Sequence, residues 1–187
     1  HTRYISVTGV QTCALPIFSI KVIVSSIWHF RQSAQKGKVM NWTEYFINIA
    51  NVVKLKSKDN STKIGVVIVG KGNEIVSTGY NSFPRGIDDT VPKRQERPEK
   101  YIWFEHAERN AIYNAARIGV STNGCTMYMS CGLPCADCAR AIINCGIVKI
   151  VVGGGDSAKG PQFNDDMNSK VREMFREANV EVEYYGK

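Results

Sequence analysis

The hydrophobic positions that follow residue 40 change from a helical to an extended spacing. Apolar side chains recur at i, i+3, i+4, i+7, i+8 and i+11 from Trp42 to Val53, which predicts an amphipathic helix. Asn41 suits its N-cap, with Glu44 three residues later. An apolar run rich in β-branched residues follows at 64–69, and a glycine-containing turn then leads to a second predicted strand at 74–78. They predict a β-hairpin.

The second half of the chain repeats a helix-then-strand pattern three times. A loop with several prolines covers 79–100 and precedes it. The predicted elements are a helix at 104–118, a strand at 125–130, a helix at 134–146, a strand at 147–152, a helix at 167–178 and a strand at 180–184. The order αββαβαβαβ predicts a three-layer α/β/α fold with a central mixed, largely parallel five-stranded sheet.

Basic residues are concentrated at the start of the chain. The 187 residues include 24 Lys and Arg against 17 Asp and Glu, a formal charge of +7. Residues 1–39 hold five of the basic residues and none of the acidic ones, so 19 face 17 in residues 40–187. That balance argues against a nucleic-acid partner. The longest apolar run is interrupted by Pro16 and Lys21 and is too short for a membrane span.

Residues 1–39 differ from the rest in another way. The stretch from Val7 to Ile17 resembles the in-frame translation of a common sequencing adapter. Met40 is followed at once by the N-cap of the first predicted helix. We therefore expect residues 1–39 to be a non-native or disordered extension and residues 40–187 to form the functional domain. The alternative is a genuine, poorly ordered N-terminal extension.

Five of the six cysteines lie between residues 125 and 145. Such clustering is typical of metal coordination in a reducing compartment, and a disulfide framework would spread its cysteines more widely. We therefore expect a cytoplasmic protein.

Two short motifs carry the candidate chemistry, His106-Ala107-Glu108 and Pro134-Cys135-x-x-Cys138. Each stands at the predicted start of a helix, where the helix dipole favours thiolates. Two thiolates and one imidazole suit tetrahedral zinc and leave its fourth position for water, whose pKa falls to about 7. H-x-E…P-C-x-x-C is the signature of zinc deaminases. We predict one zinc ion per chain on His106, Cys135 and Cys138, with Glu108 as the catalytic proton carrier.

A structural zinc site is the alternative interpretation. Cys125 and Cys131 would complete a four-cysteine site with Cys135 and Cys138, and the protein would then be a zinc-stabilised binding module without activity. The predicted strand context of Cys125 and Cys131 instead favours small buried side chains. We therefore expect both to be packing residues.

Further stretches match one family over essentially the whole chain from Asn41. They are the Trp42–Ala50 pattern, Gly79-Tyr80-Asn81, Pro84-x-Gly86, Asp88-Asp89, Lys100-Tyr101, His106 to Ile112, Gly124 to Tyr128, and Pro134 to Ile147. With these residues the chain resembles the deoxycytidylate (dCMP) deaminases of the cytidine deaminase-like superfamily. The resemblance implies that fold, zinc-dependent hydrolysis of dCMP to dUMP and ammonia, and a homo-oligomer, commonly a hexamer.

The resemblance also implies two substrate contacts. Asn81 would contact the nucleoside, and the backbone N–H of Ala107 would meet the carbonyl of the base. A strand-terminating role for Asn81 is the alternative, because Gly-Tyr-Asn also favours a turn. For the phosphate we predict Arg85 and Arg94, because arginine suits bidentate phosphate binding and both lie on the 79–100 loop expected at the pocket. Lys93, Arg97 and Lys100 share that loop.

Ser82 departs from the family pattern. It stands where the family commonly has glycine, in a loop that is linked in some members to regulation by dCTP and dTTP, so the resemblance does not extend to that regulation.

The competing activity is deamination of another cytosine nucleoside or nucleotide, or of a base in nucleic acid.

Overall fold

The structure is a computed structural model and describes residues 39–154 and 165–186. Contacts divide the chain into two units, His1–Val39 and Met40–Lys187. The extension predicted at residues 1–39 lies outside the described residues apart from Val39, and it stays a prediction. The described residues of the second unit contain all the helices and strands reported below.

The element order agrees with the predicted αββαβαβαβ pattern, with three short additions. The helices are α1 Trp42–Val53, α2 Lys100–Trp103, α3 Ala107–Ile118, α4 Ala136–Asn144 and α5 Asp165–Glu177. The strands are β1 Gly65–Val69, β2 Ile75–Tyr80, β3 Thr126–Met129, β4 Lys149–Val152 and β5 Glu181–Tyr184. The additions are 3₁₀ turns at Lys54–Lys56 and Pro92–Gln95 and the helix α2, and the last two lie within or at the end of the predicted loop.

The five strands form one mixed sheet in the order β2-β1-β3-β4-β5. β1 pairs antiparallel with both β2 and β3, whereas β3–β4 and β4–β5 are parallel. The prediction of a mixed five-stranded sheet is confirmed, but only two of its four pairings are parallel. Of the two hairpin strands, β1 is the one that pairs with β3 of the parallel half. The spacing of apolar residues does not predict which hairpin strand makes this pairing.

Helices cover both faces of the sheet. Phe46, Ile47 and Ala50 of α1 pack with Val67 and Val69 on one face. The opposite face carries α3, α4 and α5, whose buried residues pack with Val66, Ile68, Met127, Met129, Ile150 and Val152. Neighbouring residues of β1 therefore contribute to different clusters, as the alternation of side chains along a strand requires. The described residues include no helix long and apolar enough to cross a membrane.

Gly79 brings α3 close to β2. A Cβ atom at this position would lie 2.3 Å from the backbone N of Ala111 and 2.4 Å from the carbonyl O of Ala107. Both neighbours are backbone atoms of α3, so no side chain can move aside to make room. The glycine therefore determines how closely the first turns of α3 approach the sheet. The candidate residue Glu108 lies in the first of these turns.

Candidate metal centre and active site

The two sequence motifs stand at the N-termini of neighbouring helices. His106 is the N-cap of α3. Glu105, the residue before it, forms an isolated β-bridge with Ser82, so the helix does not extend back beyond His106. Cys135 is the N-cap of α4, and Cys138 is the third residue of that helix. α3 thus begins three residues later than predicted. Pro134 precedes α4, whereas the sequence prediction placed it in the first turn of that helix.

His106, Cys135 and Cys138 converge on one point and form a donor group for a metal ion. Their ligand atoms all lie within 4.8 Å of one another, and both sulfur atoms are 3.4 Å from His106 Nδ1. Among the described residues, this is the one group of three or more His, Cys, Asp or Glu side chains close enough to share a metal ion. Cys131 and Cys125 do not belong to it, which argues against the four-cysteine alternative.

The electrostatics of the two thiols suit a metal ligand. The hydrogen bond from the Cys138 thiol lowers the pKa of Cys135 to about 4; burial opposes this change and His106 assists it. The pKa of Cys138 is raised for the same reason, so the pair shares one proton. The Cys135 hydrogen bond raises the pKa of His106 to about 9. The lowered pKa of Cys135 favours its thiolate, the form that binds metal.

Glu108 lies in the first turn of α3 and is 3% exposed. Its Oε2 atom is buried and, within the part of the chain that the structure describes, accepts no hydrogen bond. Burial raises the pKa of this carboxyl, an effect that the charge of His106 opposes. A buried carboxyl oxygen that lacks a partner is costly unless a ligand satisfies it. Such a group is equipped to take up and release a proton.

Asn81 is held by the protein on three sides. Its Oδ1 accepts from Ile64 N at 2.8 Å, while Nδ2 donates to Asp59 Oδ2 at 2.9 Å and to the Thr62 carbonyl at 2.8 Å. Both amide hydrogens are therefore used, and only Oδ1 keeps capacity for a further bond. Asn81 lines the same cavity as His106 and Glu108. Its predicted substrate contact is thus restricted to an acceptor role.

Ala107 is the first residue of α3 and is fully buried. The first N–H groups of a helix have no partner within the helix. Its backbone N–H is consequently a donor without a partner in the helix, and its contact to a base carbonyl stays a prediction.

Arg109 connects the two halves of the donor group. Its Nε donates to Glu105 Oε1 at 2.7 Å, and the same oxygen accepts the backbone N–H of His106 at 2.9 Å. On the other side, Arg109 Nη1 lies 3.8 Å from Asp137 Oδ2, between the two cysteines in sequence. Arg109 of α3 thus links Glu105, just before α3, to Asp137 of α4.

A cavity of about 350 Å³ opens beside the donor group. His106, Glu108 and Cys131 line it, as do Arg97, Lys100 and Arg172. A volume near 350 Å³ is within the range of small-molecule sites. Arg172 could not be predicted from the sequence, because no motif surrounds its position on α5.

Arg85 and Arg94, the arginines predicted for the phosphate, are not among the residues that line this cavity. Arg85 lines a separate cavity of about 560 Å³, and its Nη2 donates to Asn114 Oδ1 at 2.6 Å. The guanidinium of Arg94 lies 4.1 Å from the centre of the Trp103 ring and donates to the carbonyl of Asp88. The structure does not bring either residue to the donor group.

The residues present fit a zinc ion. One imidazole nitrogen and two sulfurs are the donor types that zinc prefers, and three protein ligands leave a position open. Oε2 of Glu108 in the same cavity is unsatisfied and offers a hydrogen-bond acceptor to a water molecule at that open position. With the mixed sheet and its two helical layers, this donor group defines a zinc-binding protein of the cytidine deaminase-like fold.

Comparison with known proteins gives the family. Residues 40–154 match the model of the cytidine and deoxycytidylate deaminase zinc-binding region, and the chain belongs to this family. A probable deoxycytidylate deaminase of Caenorhabditis elegans is 42% identical over 108 residues, 56% of this chain and 53% of that protein. A protein of Aliivibrio fischeri, described as an uncharacterized deaminase in the luxG 3' region, is 36% identical over 151 residues, 77% of this chain and 93% of that protein.

A solved structure shares the fold. The dCMP deaminase of cyanophage S-TIM5, in complex with dCMP and dUMP, superposes with a TM-score of 0.62 over 79% of this chain and 99% of that one, at 21% identity. At that identity the likeness shows the fold alone. The chain spans about half the length of the C. elegans relative.

Proposed function

We propose that this chain is a zinc-dependent hydrolase that converts dCMP to dUMP with release of ammonia. The observation that carries the proposal is the unsatisfied, buried Oε2 of Glu108 in the cavity lined by His106, beside a group of donors suited to zinc. The relatives named deoxycytidylate deaminase support the choice of substrate. A cytosine ring needs water added at C4 and a proton delivered to its nitrogen, and these are the tasks of a metal and a carboxyl.

His106, Cys135 and Cys138 would hold the zinc ion. Zinc, when bound, supplies a Lewis acid that lowers the pKa of a water molecule to about 7. Glu108 accepts a proton from the attacking water and passes it to N3 of the ring. It then returns the second water proton to the amino group, which departs as ammonia. Water and dCMP thus give dUMP and ammonia, and Glu108 ends in its starting state.

Three further groups would orient the base and sugar. The Ala107 N–H donates to the base carbonyl, and Asn81 Oδ1 accepts from a sugar hydroxyl. Asp59 keeps the Asn81 amide fixed through its 2.9 Å hydrogen bond, so that this acceptor needs no reordering when substrate binds.

Substrate choice is tested with the full chain loaded with zinc. Ammonia release is followed with dCMP, CMP, deoxycytidine and dCTP, and we expect the highest kcat/KM for dCMP. The Glu108→Gln variant should lose at least about 10²-fold in kcat, the usual contribution of a proton carrier, while zinc content stays at one per chain. Turnover of none of the four compounds by zinc-loaded protein would refute the proposal.

The zinc ligands are tested by metal content. His106→Ala should lose zinc, whereas Cys131→Ser should retain it, because Cys131 lies outside the donor group. The reverse pattern would support the four-cysteine site and remove the basis for catalysis.

We further infer a cytoplasmic homo-oligomer. The resemblance to dCMP deaminases supports the assembly, and the free state of all five cysteines in the described residues agrees with a reducing compartment. Size-exclusion chromatography with light scattering of the full chain tests the assembly, and a monomer at micromolar concentration would contradict it.

A further inference from the structure

The cavity beside the donor group has a buried end and an open end. Glu108 and Cys131 are 3% and 5% exposed and form the buried end. Arg97 and Arg172 also line the cavity but are exposed residues, so they lie towards solvent. Arg97 precedes α2 in sequence, and Arg172 is on α5, 75 positions further along the chain. Two arginines from remote parts of the chain thus border one small cavity.

The charges of these two arginines are not neutralised by the described protein groups. Lys100 also lines the cavity, but its Nζ is 2.6 Å from Asp59 Oδ1. Glu105 is likewise paired, with Arg109. In the parts of the chain covered by residues 39–154 and 165–186, no carboxylate lies within 4.0 Å of Arg97 or Arg172. Counting the described residues alone, the mouth of the cavity therefore carries unpaired positive charge.

Aromatic residues hold both guanidinium groups. The Cζ atom of Arg97 is 5.9 Å from the centre of the Tyr101 ring. Arg172 Nε lies 3.5 Å from the Tyr184 hydroxyl oxygen, and Tyr184 also lines the cavity. Contacts of this kind restrict an arginine without removing its charge. Asn168 lines the cavity one helical turn before Arg172 and adds a neutral amide on the same face of α5.

We propose that Arg172, with Arg97, binds the 5′-phosphate of the nucleotide substrate, an inference that rests on the proposed function. The planar guanidinium matches two phosphate oxygens, and a pair of them offsets the charge of a phosphate dianion. With the base at the buried end beside Glu108, the 5′-phosphate is the part of a nucleotide that faces the mouth. The site would then distinguish a nucleoside monophosphate from its nucleoside.

The proposed zinc ligands and the proposed phosphate ligand Arg172 lie in different parts of the chain. The family model covers residues 40–154, which include all three candidate zinc ligands and Glu108. α5 begins at Asp165 and lies beyond that match. The chemistry therefore belongs to the shared segment, and α5 adds selectivity for a phosphorylated substrate.

The test compares dCMP with deoxycytidine in the zinc-loaded full chain. Arg172→Gln and Arg97→Gln should each lower kcat/KM for dCMP about 10- to 100-fold, the effect of losing charged hydrogen bonds, and leave kcat/KM for deoxycytidine unchanged. Arg172→Lys should recover part of the loss. Arg176→Gln is the matched control, because it removes the same charge one turn further along α5 from a side chain that is 74% exposed. It should leave both values unchanged.

Equilibrium binding separates this proposal from the proposed function. Calorimetry measures dUMP and deoxyuridine, which need no turnover. If the wild type turns over no substrate but binds dUMP more tightly than deoxyuridine, and Arg172→Gln abolishes the difference, the phosphate site stands and the proposed activity falls. If Arg172→Gln deaminates dCMP as well as Arg176→Gln does, or loses dCMP and deoxycytidine activity equally, the phosphate site is wrong and the activity is unaffected.

Discussion

The ammonium group of Lys100 lies 2.6 Å from a carboxylate oxygen of Asp59, and the two side chains are 9% and 3% exposed. The other oxygen of Asp59 accepts from Asn81 Nδ2. This buried pair therefore connects α2, the 57–62 segment and the end of β2 at the wall of the cavity. Nothing in the spacing of apolar residues pointed to this pair, since the two residues are 41 positions apart.

Removal of the lysine should be costly. Lys100→Met leaves the Asp59 carboxylate buried without its cation, and we expect the free energy of unfolding to fall by about 3 kcal/mol or more. Urea denaturation at pH 7 measures it. The matched control is Lys58→Met, because the Lys58 side chain is 64% exposed and that of its partner Asp89 is 29% exposed; it should cause no measurable change. Equal effects of the two variants would contradict the buried pair.

The same pair predicts a pH dependence. Burial tends to raise the pKa of Asp59, but the hydrogen bonds from Lys100, Thr62 and Ser61 outweigh it, so the folded pKa lies below the ordinary 3.8. Asp59 therefore contributes stability above pH 3.8, and this contribution is lost as pH falls through the folded pKa. Unfolding free energies of the wild type and Asp59→Asn should differ most near pH 6–7 and converge below 3.8. A difference that does not change with pH would exclude ionisation as its cause.

Gly79→Ala should disturb the donor group from outside the cavity. Its Cβ would meet the Ala111 N and Ala107 O backbone atoms at 2.3 and 2.4 Å, which displaces α3 from the sheet. We expect destabilisation of about 1–3 kcal/mol, together with weaker zinc binding in chelator competition. Gly72→Ala is the control, because its Cβ meets only the movable end of the Glu74 side chain. Unchanged zinc affinity in Gly79→Ala would mean that α3 adjusts freely.

Arg109→Met should weaken zinc binding without removing a ligand. Arg109 links Glu105, which holds the His106 N–H, to Asp137 on α4. Loss of such a supporting contact typically lowers metal affinity about tenfold or more. Competition with a chromophoric chelator gives the affinity. Arg140→Met is the control, since Arg140 pairs with Asp137 from a 59% exposed position. If both variants bind zinc like the wild type, the bridge has no role in holding the two halves together.

The sequence by itself determined the elements and the chemistry of the site. Apolar spacing predicted all five strands and the four long helices, because amphipathic periodicity is a local property. The ligands His106, Cys135 and Cys138 and the proton carrier Glu108 were predicted because H-x-E and P-C-x-x-C are short motifs of fixed spacing. The convergence of the imidazole and the two sulfurs agrees with that prediction.

Only the tertiary structure decided what surrounds the site. The strand order placed β1 between β2 and β3, so half of the pairings are antiparallel. It also brought Arg172 to the cavity, whereas Arg85 and Arg94 lie elsewhere. A cavity wall is assembled from elements that are distant in sequence, and the residues on it are chosen by packing. Local spacing fixes which side chains can bind a metal, but only the packing of β2, α2, α3 and α5 fixes which charges line the cavity.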